Sequence, residues 1–158
     1  MSEPLPRSGA ISGGVHLLPV RVYYEDTDAA GLVYYVNYLK FAERGRTEML
    51  RCMGFEQERM RHELGFFFVV RNCAVDYRSA ARLDDDLLVA TRLIDAGAAT
   101  LDVTQEVRRR DAVLAALTFR IAGVGRDGRP IRLPAELRTA IQSLAPAGSP
   151  PTPPQLHG

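Results

Sequence analysis

The stretch Tyr24-Glu-Asp-Thr-Asp-Ala-Ala-Gly-Leu-Val-Tyr-Tyr-Val-Asn-Tyr38 separates two kinds of hydrophobic periodicity, and that change of period decides the fold. Upstream, Leu18, Val20, Val22 and Tyr24 alternate along residues 16–24, the spacing of a half-buried strand. Pro19 has no backbone donor and suits the start or an edge of that strand. Downstream, Tyr35, Leu39, Ala42, Gly45 or Arg46, Met49 and Met53 recur at threes and fours. That pattern predicts an amphipathic helix over residues 35–53. Arg44, Glu48 and Arg51 fall on its other side, with Arg44 and Glu48 at the i,i+4 spacing of an ion pair. Gly54 is placed to end the helix in a left-handed conformation. Gly45 would cost an exposed helix about 1 kcal/mol relative to Ala. On the buried stripe it predicts that a strand backbone approaches closely. Between strand and helix, residues 25–31 read as a turn.

Outward from that segment, residues 55–64 form a short second helix closed by Gly65. Phe66-Phe-Phe-Val-Val70 is apolar at every position and reads as a strand buried on both faces. Alternation carries it on through Cys73, Val75 and Tyr77. Residues 87–95 are a further strand. In the next, Leu101, Val103 and Val107 alternate with Asp102, Thr104 and Glu106. The last, residues 113–124, puts Val113, Ala115, Leu117, Phe119 and Ile121 on one face. Asp127-Gly128 is a turn, and residues 134–144 predict a final short helix. The connections are short, so antiparallel hairpins are expected. Strands of this kind and one long amphipathic helix must bury their apolar faces on each other. The fold class is therefore α+β, an antiparallel sheet wrapped around a long central helix. Residues 1–14, polar and rich in Gly, Ser and Pro, read as a flexible leader. Residues 15–144 form the domain, and residues 145–158, with five prolines, read as a disordered tail.

A chain of 158 residues can bury roughly 70% of its unfolded surface. A formal net charge of +1 gives no global field towards nucleic acid or an anionic membrane. No run approaches the roughly 18 apolar residues of a membrane span. The expected location is cytoplasmic, with no nucleic-acid partner. Cys52 and Cys73 lack CxxC spacing and read as reduced, buried thiols. His16, His62 and His157 do not cluster with cysteines or carboxylates, so no metal is expected. Asp84-Asp-Asp86 reads as a solvated turn. Gly123-Val-Gly-Arg-Asp-Gly128 lacks the Lys-Ser/Thr of a phosphate loop and reads as a strand end plus turn.

Chemistry concentrates at Asp26 and Asp28. They flank Thr27 just before the long helix. A helix N-terminus presents unpaired N–H groups and partial positive charge, which can hold an oxyanion forming on a carbonyl. A carboxylate beside it can attack as a nucleophile or act as general base for water. A thioester has a good leaving group, so these two elements suffice without a serine. Spacing alone leaves open that either aspartate merely caps or turns the chain.

The run from Tyr24 through Tyr38 and on through Leu-Lys-Phe-Ala-Glu-Arg-Gly-Arg-Thr-Glu-Met-Leu-Arg51 closely resembles the 4-hydroxybenzoyl-CoA thioesterase superfamily. More narrowly it resembles the acyl-CoA thioesterases encoded beside the Tol-Pal envelope system. Phe68-Val-Val-Arg-Asn-Cys-Ala-Val-Asp-Tyr-Arg-Ser-Ala-Ala-Arg-Leu-Asp-Asp85 resembles that subfamily too, and the similarity spans residues 16–144. The resemblance implies a hotdog fold, a homodimer or homotetramer, and hydrolysis of an acyl-CoA substrate. It implies no cofactor beyond the CoA that the substrate carries, and a link to the Tol-Pal system. It assigns the chemistry to Asp28 and the polarisation of the thioester carbonyl to the backbone amide of Tyr35. Gly31 would let the loop pass close to substrate, and Asn37 and Tyr38 would open the helix and shape the site. The site would lie at a dimer interface, with Val69, Val70 and Arg71 of β-structure from the second copy lining the acyl pocket. Tyr35 stands where the Tol-Pal-associated enzymes usually carry His and where the hydroxybenzoyl-CoA enzymes carry Tyr. An aromatic acyl-CoA thioesterase is therefore the alternative within the family, and a non-catalytic acyl-CoA-binding or envelope-associated protein is the alternative outside enzymes. CoA phosphates need arginines: Arg78, Arg108, Arg109, Arg110, Arg126, Arg129 and Arg132 are the candidates, or are simply solvated.

Overall fold

A computed structural model describes residues 2–144; the proline-rich segment expected as a disordered tail lies outside the described residues. The strands are β1 (Ala10–Ser12), β2 (Val15–Arg21), β3 (Phe67–Tyr77), β4 (Asp86–Ala96), β5 (Thr100–Arg109) and β6 (Ala112–Val124). The helices are α1 (Asn37–Cys52), α2 (Gln57–Leu64) and α3 (Ala135–Leu144), and a 3₁₀ turn spans Tyr24–Asp26. The six strands form one sheet in the order β1-β2-β4-β5-β6-β3. Every pairing is antiparallel. α1 lies chiefly over β4, β2 and β5, and this contact is the core. The α+β arrangement of a sheet curled around one long helix follows from the two apolar faces named above. Within the segment expected as leader, Ala10–Ser12 pairs with β2 to make a short edge strand.

The helix begins at Asn37, so Tyr35 sits outside it in a turn and is 58% exposed. The buried stripe is Tyr38, Phe41, Ala42, Gly45 and Met49, still at threes and fours but rotated from the expected one. A Cβ built on Gly45 would stand 2.8 Å from Val89 Cγ1, 2.9 Å from Thr91 Oγ1 and 3.0 Å from Gln105 Nε2. The close approach expected at Gly45 is thus made by strand side chains, not by strand backbone. Glu48 pairs with Arg51 at 3.4 Å, not with Arg44. α1 ends with Gly54 N–H donating to Arg51 O and Phe55 N–H to Leu50 O, the paired closure that a glycine after a helix allows.

Two expectations about burial are corrected. β3 is not buried on both faces: Val69 is 41% and Val70 50% exposed. It is an edge strand of the sheet, away from the main contact of α1 with β4, β2 and β5, and among the described residues no strand pairs with its outer edge. Cys73, on that strand, and Cys52, at the end of α1, are both exposed.

Candidate active site

The turn between β2 and α1 folds back on itself. Asp28 N–H donates to Leu32 O at 2.8 Å and Tyr34 N–H to Asp26 O at 3.0 Å, with a bridge between Thr27 and Val33 in between. Gly31 closes this small hairpin at φ +76, a left-handed conformation that glycine adopts without strain. A Cβ there would meet nothing within 4 Å, so the conformation and not crowding requires glycine. The hairpin is pinned from outside by Val33 N–H to Ala81 O and Leu83 N–H to Gly31 O.

The two aspartates have different work. Asp26 is buried, and its Oδ2 accepts the Tyr23 N–H at 2.8 Å. Its backbone oxygen also accepts Asn37 Nδ2 at 2.7 Å. Asn37, itself buried, thereby ties the first residue of α1 to the hairpin. Asp28 is exposed, and its Oδ1 accepts Ala30 N–H at 2.9 Å and Leu32 N–H at 3.2 Å. Its Oδ2 accepts no hydrogen bond among the described residues. The two carboxylate oxygens of Asp28 thus differ: Oδ1 holds the hairpin, and Oδ2 is open among the described residues.

Just beyond, Asn37 N–H donates to Tyr34 O at 2.8 Å. That fixes the peptide joining Tyr34 and Tyr35, and because a trans peptide points its N–H opposite to its C=O, the Tyr35 amide faces away from the helix. The Tyr35 amide forms no hydrogen bond among the described residues. It is an unspent donor just ahead of α1, with no side-chain cap at Val36 and no acidic residue in the first turn to compete. Tyr38 is buried under this turn, and its hydroxyl accepts Ala81 N–H at 2.9 Å.

Asp28, Gly31, Tyr35, Asn37 and Tyr38 therefore come together on one segment. Val69 and Val70 do not join them. They line a separate cleft of about 150 Å³ with Met49, Leu50, Phe68 and Arg46. Arg71 is the bulged residue that shifts the pairing of β3 with β6. The cleft is mainly apolar. Arg46 stacks 4.1 Å above the Phe119 ring and gives one N–H to Gln105 Oε1 at 3.0 Å. Burial pushes the Arg46 guanidinium pKa down, against the opposing pull of Glu43. Among the arginines considered for CoA phosphates, Arg78, Arg108 and Arg109 are engaged with Asp76, Glu106 and Asp85 at 3.0, 2.8 and 2.8 Å.

Two contributors were missed from sequence. Gln105 is 2% exposed and donates to Ala42 O and Thr91 Oγ1, both at 2.8 Å. Its signal was available, since alternation places it between Val103 and Val107 on the core face. Tyr77, at the end of β3, donates its hydroxyl to Tyr35 O at 3.0 Å. Its ring meets Tyr35 and Tyr38 edge-on at 6.1 and 5.6 Å between centroids. Burial pushes the Tyr77 hydroxyl pKa up, and the neighbouring Tyr35, Cys73 and Tyr38 add to this. The phenol stays a neutral donor across the physiological range.

Residues 22–141 match the family described as the thioesterase-like superfamily. The chain is 42% identical over 127 residues to the acyl-CoA thioesterase YbgC of Haemophilus influenzae, covering 80% of this chain and 93% of that one. It is 48% identical over 89 residues to the acyl-CoA thioester hydrolase YbgC of Escherichia coli, covering 56% of this chain and 66% of that one. Among solved structures, a probable thioesterase from Bartonella henselae superposes with a TM-score of 0.74 at 34% identity, covering 76% of this chain and 99% of that one.

Proposed function

The chain belongs to the thioesterase-like superfamily and is a hotdog-fold acyl-CoA thioesterase, and from that premise we propose that Asp28 and the Tyr35 amide together carry the hydrolysis. The thioester carbonyl oxygen sits on the Tyr35 N–H. Asp28 takes a proton from water, which attacks the carbonyl carbon, or Asp28 attacks that carbon itself and water releases the acyl group afterwards. In either course the C–S bond breaks, the sulfur leaves with CoA and is protonated, and the acid is released. The observation that carries this reading is the pairing of an open carboxylate oxygen on Asp28 with an unspent amide at Tyr35, held on one rigid hairpin by Asp26 and Asn37. Preorganised donors of this kind are worth about a hundredfold or more in rate each.

The proposed assembly is a homodimer or homotetramer. The uncovered strand β3 favours it, because an exposed outer strand with Val69 and Val70 on its surface is a template for pairing with another chain. The β3 edge of a second copy, at residues 69–71, then completes the acyl pocket. No helix among the described residues is long and apolar enough to cross a membrane. A cytoplasmic location and an association with the Tol-Pal system complete the proposal. The Tol-Pal part rests on the resemblance alone.

The test is thiol release from short, long and aromatic acyl-CoAs. Turnover of at least one class supports the reading, and tight binding of all three without turnover sinks it. A preference for the aromatic class would favour the hydroxybenzoyl-CoA-like alternative, towards which the exposed rings of Tyr34, Tyr35 and Tyr77 incline. Asp26→Asn keeps the backbone oxygen that holds Tyr34 and Asn37. It is expected to lower kcat by less than about tenfold, well short of a lost general base. Steady-state kinetics check this, and a loss at Asp26 equal to that at Asp28 would remove the distinction drawn between them.

A further inference from the structure

We propose that Tyr77 is a positioning residue for this site: its hydroxyl holds the Tyr35 carbonyl and so restrains, from the second side, the turn that carries the Tyr35 amide. The inference rests on the reading that Asp28 and the Tyr35 amide together carry the hydrolysis. Two peptide planes flank the Tyr35 Cα. The first, from Tyr34, is fixed from within α1 by Asn37 N–H at 2.8 Å. The second, carrying the Tyr35 carbonyl, precedes the first residue of the helix and is held by Tyr77 at 3.0 Å. Tyr77 is 42 residues away in sequence and belongs to β3, not to the hairpin or the helix.

Each neighbour of Tyr77 serves to hold that hydroxyl still. The ring packs edge-on against Tyr38, and Tyr38 is locked by its own hydrogen bond from Ala81 N–H. The Tyr35 ring also packs edge-on against Tyr77. The residue is 43% exposed, so its hydrogen bond contributes little to global stability, whereas it restrains the second of the two peptide planes about the Tyr35 Cα. A donor aimed in advance spends no reorganisation at the moment of reaction, which is where oxyanion stabilisation gains its size. Without the hydroxyl, the turn at Tyr35 and Val36 is restrained on one side only.

The experiment is Tyr77→Phe in the full chain, with acyl-CoA thiol release and thermal unfolding measured beside the unsubstituted protein and Asp28→Asn. Phe keeps the ring contacts and removes only the donor. The expected result is a kcat about tenfold lower, a KM within about twofold, and an unchanged Tm. A ground-state contact would raise KM instead, and a purely structural role would lower Tm in step with activity; either result overturns the proposal. Full kcat in Tyr77→Phe beside an inactive Asp28→Asn overturns the role of Tyr77 alone. Activity that survives Asp28→Asn overturns the reading on which it rests.

Discussion

Asp28→Asn is expected to lower kcat at least about a hundredfold on every acyl-CoA the enzyme turns over, a loss of about 2.7 kcal/mol of transition-state stabilisation. The geometry makes this substitution unusually clean. Oδ1 of Asp28 accepts the Ala30 and Leu32 N–H groups, and Asn retains that oxygen. The hairpin should therefore keep its shape, with Gly31 in its left-handed conformation and Tyr34 still bonded to Asp26 O. What is lost is the second oxygen, replaced by an amide that can neither take a proton from water nor attack a carbonyl. KM should move little, since the Tyr35 donor is untouched. Circular dichroism and Tm should match the unsubstituted protein. Unchanged kcat in a folded Asp28→Asn protein would eliminate both the general-base and the nucleophile roles.

The parts of this site that were legible in sequence are those that lie close together along the chain. Asp26, Asp28, Gly31, Tyr35, Asn37 and Tyr38 occupy one segment, and the shift from period two to period 3.6 around it marks a strand, a turn and a helix start. The different tasks of the two aspartates were not legible from the DxD spacing, because each depends on which amide its oxygens meet after the turn closes. Tyr77 was out of reach for another reason. Alternation placed it on a strand, but only the order β6-β3 at the sheet edge brings that strand's end beside the helix start. The same non-local fact explains the error over Phe66–Val70. An all-apolar run reads as doubly buried, yet this strand lies at a sheet edge, and while Phe66 is buried, Val69 and Val70 stay exposed. The rotated stripe on α1 has a local cause: with Tyr35 and Val36 in the turn, the helix presents Tyr38, Phe41 and Ala42 to the sheet.

Gly45→Val should be the most damaging single substitution for stability at the interface of helix and sheet. Any Cβ at this position meets Val89 Cγ1 at 2.8 Å and Thr91 Oγ1 at 2.9 Å, closer than side chains tolerate. The neighbours cannot simply swing aside. Gln105 Nε2, 3.0 Å away, is held between Ala42 O and Thr91 Oγ1, and its Oε1 accepts from Arg46. Making room separates α1 from β4 and β5 or breaks that buried network. Overpacking costs about 1–3 kcal/mol. A buried amide left without its partners costs a similar amount, about 1–3 kcal/mol. Against this, replacing glycine in a helix returns only a few tenths of a kcal/mol when the new residue is β-branched. The balance is a loss of about 3 kcal/mol, or a Tm lower by roughly 6–12 °C in a chain of this size. Gly45→Ala should fall in the same direction by less, because it adds the crowding atom without the branch and gains more helix propensity. Thermal melts of both variants at one fixed protein concentration check the order, and a Gly45→Val protein as stable as the parent would mean that the helix does not sit this close to the sheet.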